Sequence, residues 1–405
     1  MTSTVTAPVT YGSERLAALI TAIGDGALER ERSGERPFSA IDLIRRERLG
    51  ALRVPRADGG GGASLRELFA TVITLATADV NVAHILRGHF SHVEERLRLD
   101  EEQRRRVTAL ALSGAIVGNA STELGSTPAG AFTWKTQLSP DGNGFRLNGT
   151  KFFTTGTLYA DYAEVIASDP DGATVIALVP TDRAGVTVLD DWDGMGQRAT
   201  GTGTATFSDV AVSADEILQF APADADTEPP ALYLSGAFFQ LYVTALEAGV
   251  LQALRADAVA HVHQRPRSFA WAPTPAAADD PLLQLEIGEI AAAAFAAEAT
   301  VLAAADALAA AFDADVRGDD PDLKLAHEAS LQAAAAKVVV DALAQKAASQ
   351  IFDVGGASVV RQTHLLDRHW RNIRTLASHN PTSYKAQAIG AYHVLGTKLP
   401  GSGYF

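Results

Sequence analysis

The feature that most constrains this chain of 405 residues is a hydrophobic period that changes twice along its length. Over residues 15–30, 40–47 and 65–78, polar and apolar side chains recur with helical spacing. Near Ser113 the texture becomes short alternating apolar segments bounded by Gly, Pro, Asn and Asp, and it stays so to about Leu218. From Pro229 onward long Ala- and Leu-rich helical segments return, over 231–262, 281–312, 323–351 and 383–395. Helices of that kind cannot each bury an apolar stripe alone, so a bundle is implied. The expectation is a mainly α protein with an inserted β domain: an N-terminal helical domain over 11–112, a β domain over 113–225 and a helical bundle over 226–405. A chain this long also exceeds what one core usually serves.

Strands are predicted at 132–138, 144–147, 150–154, 163–168, 173–179, 186–189 and 202–207, with Asp141-Gly142 and Asn148-Gly149 as tight-turn signals. The glycine run at 59–62 follows no strand, so it reads as a connector into a helix capped near Ser64 rather than as a phosphate cradle. A helix is predicted from an N-cap at Asp79 to about Leu97. Within it Val82, Leu86, His89 and Val93 share one face, which turns His89 inward. On spacing alone His89 is a core histidine satisfied by a carbonyl, and His84 and His92, off the stripe, are expected to face solvent.

Composition excludes several functions. With no cysteine there are no disulfides, thiolate metal sites or cysteine nucleophiles, and no metal site is expected. A formal charge of −14 disfavours nucleic acid as a partner, so any phosphate-bearing ligand needs a local cationic pocket. No run of eighteen apolar residues suggests a membrane span. The polar N-terminal segment lacks a signal core, and a cytoplasmic protein with a short loose tail is expected.

The most distinctive stretch runs from Leu366 to Pro381 and carries Arg368, His369, Trp370, Arg371, Arg374 and His379 on a helix-like run. It breaks at Asn380-Pro381, because the residue before proline is pushed out of the α region. A histidine held at such a break can point into a pocket. With the Gln350-Ile351-Phe352-Asp353-Val354-Gly355-Gly356 run upstream, this stretch resembles the closing segment of the acyl-CoA dehydrogenase superfamily. The resemblance is to its flavin-dependent monooxygenase branch, similar to dibenzothiophene monooxygenase. The dehydrogenases carry a catalytic glutamate where the resemblance lays Asn380, and a tyrosine where it lays His379. An amide cannot act as a base near neutral pH.

The resemblance implies an acyl-CoA dehydrogenase-like fold: N-terminal helical domain, central β-barrel-like domain and C-terminal four-helix bundle. It implies His89, Thr155 and His379 as catalytic residues, without deciding which histidine takes a substrate proton and which holds the peroxide. Flavin contacts are implied at Asn119, Ala120, Ser121 and Thr122, at Thr154 and Thr155, and at His379. Residues 191–198 and 207–212 also match the family. Arg265 and Arg267 resemble the flavin-phosphate contact, although an exposed basic helix end would carry the same residues. Gly355, Gly356, Ala357 and Ser358 would add backbone donors that approach closely. A homotetramer with flavin sites shared between subunits is implied as well.

Three functions compete. One is a two-component monooxygenase in which reduced FMN and O2 form a flavin hydroperoxide that oxygenates a small organic molecule: an organosulfur compound, amine or aromatic. FAD is the alternative flavin. A separate NAD(P)H-dependent flavin reductase would supply the reduced cofactor, since no Gly-x-Gly-x-x-Gly follows a strand. The second is an FAD-dependent acyl-CoA dehydrogenase, for which Glu247 is the carboxylate to check. The third is a non-catalytic scaffold, which would have eroded flavin loops.

Overall fold

The computed structural model describes residues 7–125, 134–221, 230–265, 267–321, 323–401 and 405. The expected tail up to residue 6, the first two residues of the predicted 132–138 strand and the helical restart at Pro229 lie outside them. Four helices open the chain: α1 (Glu14–Asp25), α2 (Ala27–Ser33), α3 (Phe38–Glu47) and α4 (Leu65–Ala78). The last begins on a capping box in which Ser64 and Glu67 satisfy each other's backbone N–H. The glycine run before it serves close packing. A Cβ on Gly60 would lie 2.2 Å from the Val54 carbonyl oxygen, and one on Gly61 2.7 Å from that of Leu52.

The helix predicted over 79–97 is two helices, α5 (Val80–Ile85) and α6 (Arg87–Leu97), broken at Leu86. Asp79 caps α5 as expected, accepting from the N–H groups of Asn81 and Val82. His84 and His92, expected in solvent, are 7% and 3% exposed. The stripe rule assumes one wet face, and this segment has none. Tyr242 from the bundle donates its hydroxyl to the Ala83 carbonyl at 2.9 Å. From the β domain, Gly156 packs so closely on α5 that a Cβ would meet the Ile85 oxygen at 2.4 Å.

After α7 (Glu101–Ser113) the strands are β1 (Val117–Ala120), β2 (Gln137–Asp141), β3 (Gly144–Lys151), β4 (Tyr162–Ser168), β5 (Thr174–Pro180), β6 (Val186–Val188), β7 (Ala205–Val212) and β8 (Ile217–Ala221). They form one sheet in the order β6-β7-β3-β2-β4-β5-β8, with β1 parallel to β4. Asn148-Gly149 is not a hairpin turn. It is a bulge inside β3 where the register against β7 shifts, and Gly149 is required because a Cβ there would sit 2.4 Å from Thr136 Oγ1. The sheet has its own core, centred on Leu138, Leu147, Val165 and Phe207.

Beyond the sheet come α8 (Pro230–Gln264), α9 (Pro281–Arg317), α10 (Lys324–Gln350), α11 (Asp367–Ala377) and α12 (Thr382–Leu395). The N-terminal helices and this bundle share one apolar core. Phe69 of α4 stacks against Phe238 and Tyr242 of α8 with centroids 5.5 and 6.4 Å apart. The two helices touch at Gly249, where a Cβ would meet Ala76 at 2.4 Å. By length and composition both α8 and α9 could cross a membrane. The most apolar window of α8 is 89% buried, as a core helix is, but that of α9 is only 28% buried.

Candidate active site

Where α5, α6, α8, the end of α11 and the β domain converge, the structure gathers imidazole, guanidinium, amide and hydroxyl groups. His379 ends α11, its N–H bonded to the Leu376 carbonyl at 3.0 Å, and the chain breaks at Asn380-Pro381 as expected. Its imidazole is accessible to solvent yet ringed by protein, as in a deep recess. Arg87 Nη1 donates to His379 Nε2 at 3.1 Å. A guanidinium can only donate, so Nε2 is the acceptor and Nδ1 carries the proton. Desolvation, then the positive charge of Arg87, holds His379 well below the ordinary histidine range, so the ring is neutral. Asn380 donates from Nδ2 to Gln240 Oε1 at 2.7 Å.

His84 enters from α5. Its Nδ1 lies 2.9 Å from Gln197 Oε1 and therefore bears the proton, and Nε2 is a buried acceptor with no partner among the described residues. Burial, then Arg87, lowers its pKa to about 3. Gln197 is fixed from both sides. Its backbone is in the left-handed region at φ 54°, and its N–H donates to Asn372 Oδ1 of α11 at 2.8 Å. Hydrophobic period marks none of His84, Arg87 and Gln197, although Gln197 lies in the family-like 191–198 run, because their convergence depends on the break at Leu86 and on that unusual φ.

Thr155 belongs to a directed chain of hydroxyls. Thr200 donates to the Gln197 carbonyl at 2.8 Å, so its Oγ1, 2.6 Å from Thr202 Oγ1, must accept there. Thr202 therefore has no proton left for Thr155, 2.9 Å away, and Thr155 must be the donor. One proton per hydroxyl thus leaves Thr155 with lone pairs, not a proton, for a ligand. Next to it Phe153, with φ 56°, stands half-exposed at 6.1 Å from the Trp192 ring as an apolar wall.

Other predicted residues are placed differently. His89 does not line the recess. It is 0% exposed, donates from Nε2 to the Gly50 carbonyl at 3.0 Å and accepts the Val117 N–H on Nδ1 at 3.3 Å. It is the core histidine that spacing alone indicated, held neutral by burial with a pKa of about 4. The Thr154 hydroxyl is fully buried and donates to the Gly203 carbonyl at 2.9 Å, which leaves no side-chain contact for a ligand. Ala120 points into the sheet core. Asn119, Ser121 and Thr122 are half-buried, the Asn119 and Ser121 carbonyls accepting from Thr157 and from Lys151 Nζ. Glu247 is sealed in the bundle, where burial and then neighbouring Asp341 push its carboxyl well above the usual range.

Arg265 does meet the glycine segment, donating to the Val354 carbonyl at 3.0 Å, and Gly356, Ala357, Ser358 and Arg267 are exposed around it, while Gly355 is buried. This cluster sits past the far end of α8. From Gln240 to Gln264 is 24 residues of helix, or about 36 Å at 1.5 Å per residue.

A helical bundle and sheet enclosing such a recess are the architecture of flavin enzymes of the acyl-CoA dehydrogenase type. Residues 119–210 match the acyl-CoA dehydrogenase middle domain and residues 241–384 its C-terminal domain. The chain is 31% identical to a dibenzothiophene monooxygenase of Mycolicibacterium goodii, over 93% of this chain and 92% of that protein. FMN-bound TdsC of Paenibacillus sp. A11-2 superposes with a TM-score of 0.89 at 28% identity, covering 97% and 99% of the two chains. The methanesulfinate monooxygenase MsuC of Pseudomonas fluorescens superposes with a TM-score of 0.85 at 26% identity, covering 97% and 99%. The chain belongs to the acyl-CoA dehydrogenase superfamily, in its flavin-dependent monooxygenase branch.

Proposed function

We propose that this enzyme uses reduced FMN and O2 to place one oxygen atom on a small organic molecule, an organosulfur compound foremost, with His84, His379 and Thr155 as its working groups. The observation that carries the reading is the chemistry of the recess. Asn380 stands where a dehydrogenase needs its carboxylate, its amide is bonded to Gln240, and Glu247 is sealed away from any accessible surface.

The residues present fit a flavin ring. An apolar wall of Phe153 and Trp192, a Thr155 hydroxyl turned to accept and the Nε2 atoms of His84 and Gln197, without a partner among the described residues, are what a ring with both polar edges and a π-face requires. When bound, the reduced flavin supplies the electrons that activate O2. The protein's own part is proton placement. His379 Nδ1–H is a donor, and neutral His84 Nε2 is an acceptor. Both stay uncharged because burial and Arg87 disfavour the imidazolium.

Two further features support a homotetramer with shared flavin sites. The basic cluster at Arg265 lies too far along α8 to meet a flavin beside His379 of its own subunit. And α9 exposes Leu282, Leu285 and Phe295, the last 75% accessible, on one chain. A separate NAD(P)H-dependent reductase supplies the flavin in this reading.

The test is to mix the anaerobic protein with chemically reduced FMN and an organic sulfide, admit 18O2, and follow label in the product alongside hydrogen peroxide. Labelled sulfoxide is expected. Only hydrogen peroxide, together with bleaching of bound flavin by an acyl-CoA, would instead make the protein a dehydrogenase.

A further inference from the structure

Resting on the monooxygenase reading, we infer that Lys337 and Asp341 are positioning residues for His379, a buried ion pair that grips the turn bearing this imidazole at both of its ends. The two lie four residues apart on α10, with Nζ 3.0 Å from Oδ2 and the residues 1% and 2% exposed. Each member also reaches across to the chain around His379. Lys337 Nζ donates to the carbonyl of Ala377, the last residue of α11, at 3.4 Å. Asp341 Oδ2 accepts the hydroxyl of Thr382, the first residue of α12. Between the two grips lie Ser378, His379, Asn380 and Pro381. One turn further along the same ridge of α10, Gln345 accepts from Arg374 Nη1 at 2.7 Å, which ties α11 to the ridge a third time.

An ion pair is a poor way to stabilise a core. Both charges lose their hydration there, and apolar side chains of similar volume often serve as well or better. The neighbours of this pair offer little relief. Glu247 is neutral, because burial and then Asp341 push its carboxyl well above the usual range, and Lys385 of α12, also buried, sets a second cation against Lys337. Burial and then Lys337 lower the Lys385 ammonium to about 7. What the pair supplies is direction: an ammonium with three donors and a carboxylate with two acceptor oxygens can bond each other and still hold a helix end and a helix start. The carbonyl at a helix C-terminus needs such a partner. The field of Lys337 also acts on His379 in the same sense as that of Arg87, favouring the neutral ring.

Either single substitution would strand a buried charge, so the pair is replaced whole, Lys337→Met together with Asp341→Leu, and compared with Thr382→Val and Thr382→Ser. In the double variant the thermal melt should equal or exceed that of wild type. Amide hydrogen exchange of the FMN-free protein over residues 377–385 should nonetheless quicken about tenfold, with the rest of α11 unchanged. Methyl phenyl sulfide turned over with reduced FMN should give about tenfold less sulfoxide per flavin oxidised, hydrogen peroxide making up the difference. Thr382→Val should move both readouts the same way by a smaller factor, and Thr382→Ser, which keeps the hydroxyl, should return them to wild type. Wild-type exchange and a wild-type ratio of sulfoxide to peroxide in the double variant overturn the inference. So does a melt that drops in step with product, which would make the pair structural. If melt and exchange follow expectation while wild type itself gives no sulfoxide, the hold on His379 stands and the monooxygenase reading falls.

Discussion

The two ends of α8 carry polar groups for opposite reasons. At the Phe239–Gln240 end His84, Gln197 and Asn372 are packed out of solvent, His84 held by Gln197 and Gln197 by Asn372, with the Nε2 atoms of His84 and Gln197 left without a partner among the described residues. At the other end Arg265, Arg267 and the 356–358 segment stand at the surface with few internal bonds. The first arrangement is preorganised for chemistry, and the second waits for something to cover it. About 36 Å of helix separates them, which is why we propose that one subunit's recess is completed by another's basic cluster.

The sharpest way to break that comparison is to remove one end at a time. His379→Ala should cut oxygenated product roughly 100- to 10,000-fold. Oxygen uptake should continue, released as hydrogen peroxide, with the fold and oligomeric state unchanged by circular dichroism and gel filtration. Loss of the oligomer in that variant would make His379 structural. Arg265→Ala should weaken FMN binding about 10- to 100-fold while leaving turnover at saturating FMN near wild type. At limiting FMN, refolding the two variant chains together should raise activity above that of either alone only if one subunit's recess is completed by another's Arg265.

Smaller effects probe the recess alone. Thr155→Val should slow turnover by about fivefold or more, the value of one hydrogen bond, and Thr202→Val should act in the same direction without touching ligand. Acid should then expose the neutral histidines. The buried His84, His89 and His369 all have folded pKa values below the unfolded value near 6.5. Below that value the unfolded chain binds more protons than the folded one. Stability is therefore lost as pH falls from about 6.5, by up to about 1.4 kcal/mol per pH unit for each such histidine. Urea titrations at pH 7.5 and pH 5.5 measure it, and a higher midpoint at pH 5.5 would contradict the buried neutral assignments.

How much could be read from the sequence follows from what each residue depends on. The break that presents His379 is written in Asn380-Pro381, a purely local signal. The β domain and the long helices were legible in their periods. His84 was not, because the stripe argument needs a helix with a dry and a wet face, and α5 is buried between bundle and sheet. His89 shows the complementary failure. Its spacing correctly made it a core residue, while the resemblance implied a catalytic role for it that its two ring bonds, to the Gly50 carbonyl and from the Val117 N–H, leave no nitrogen free to play. Gln197 depends on a left-handed backbone that no glycine or asparagine announces, and the Asn148-Gly149 signal marked a bulge instead of a turn because β3 runs straight through it.

The file of three threonines has a consequence for timing. Its polarity is anchored at one end only, by the Thr200 proton on the Gln197 carbonyl, and that carbonyl also accepts the Thr200 N–H at 3.3 Å. Rotating all three O–H bonds would therefore sacrifice a single bond, about 1 kcal/mol, and would turn Thr155 from lone-pair partner into proton source with every heavy atom at rest. Such a reversal runs at the speed of bond rotation, so the hydroxyl can follow a change of charge in front of it without any loop having to open.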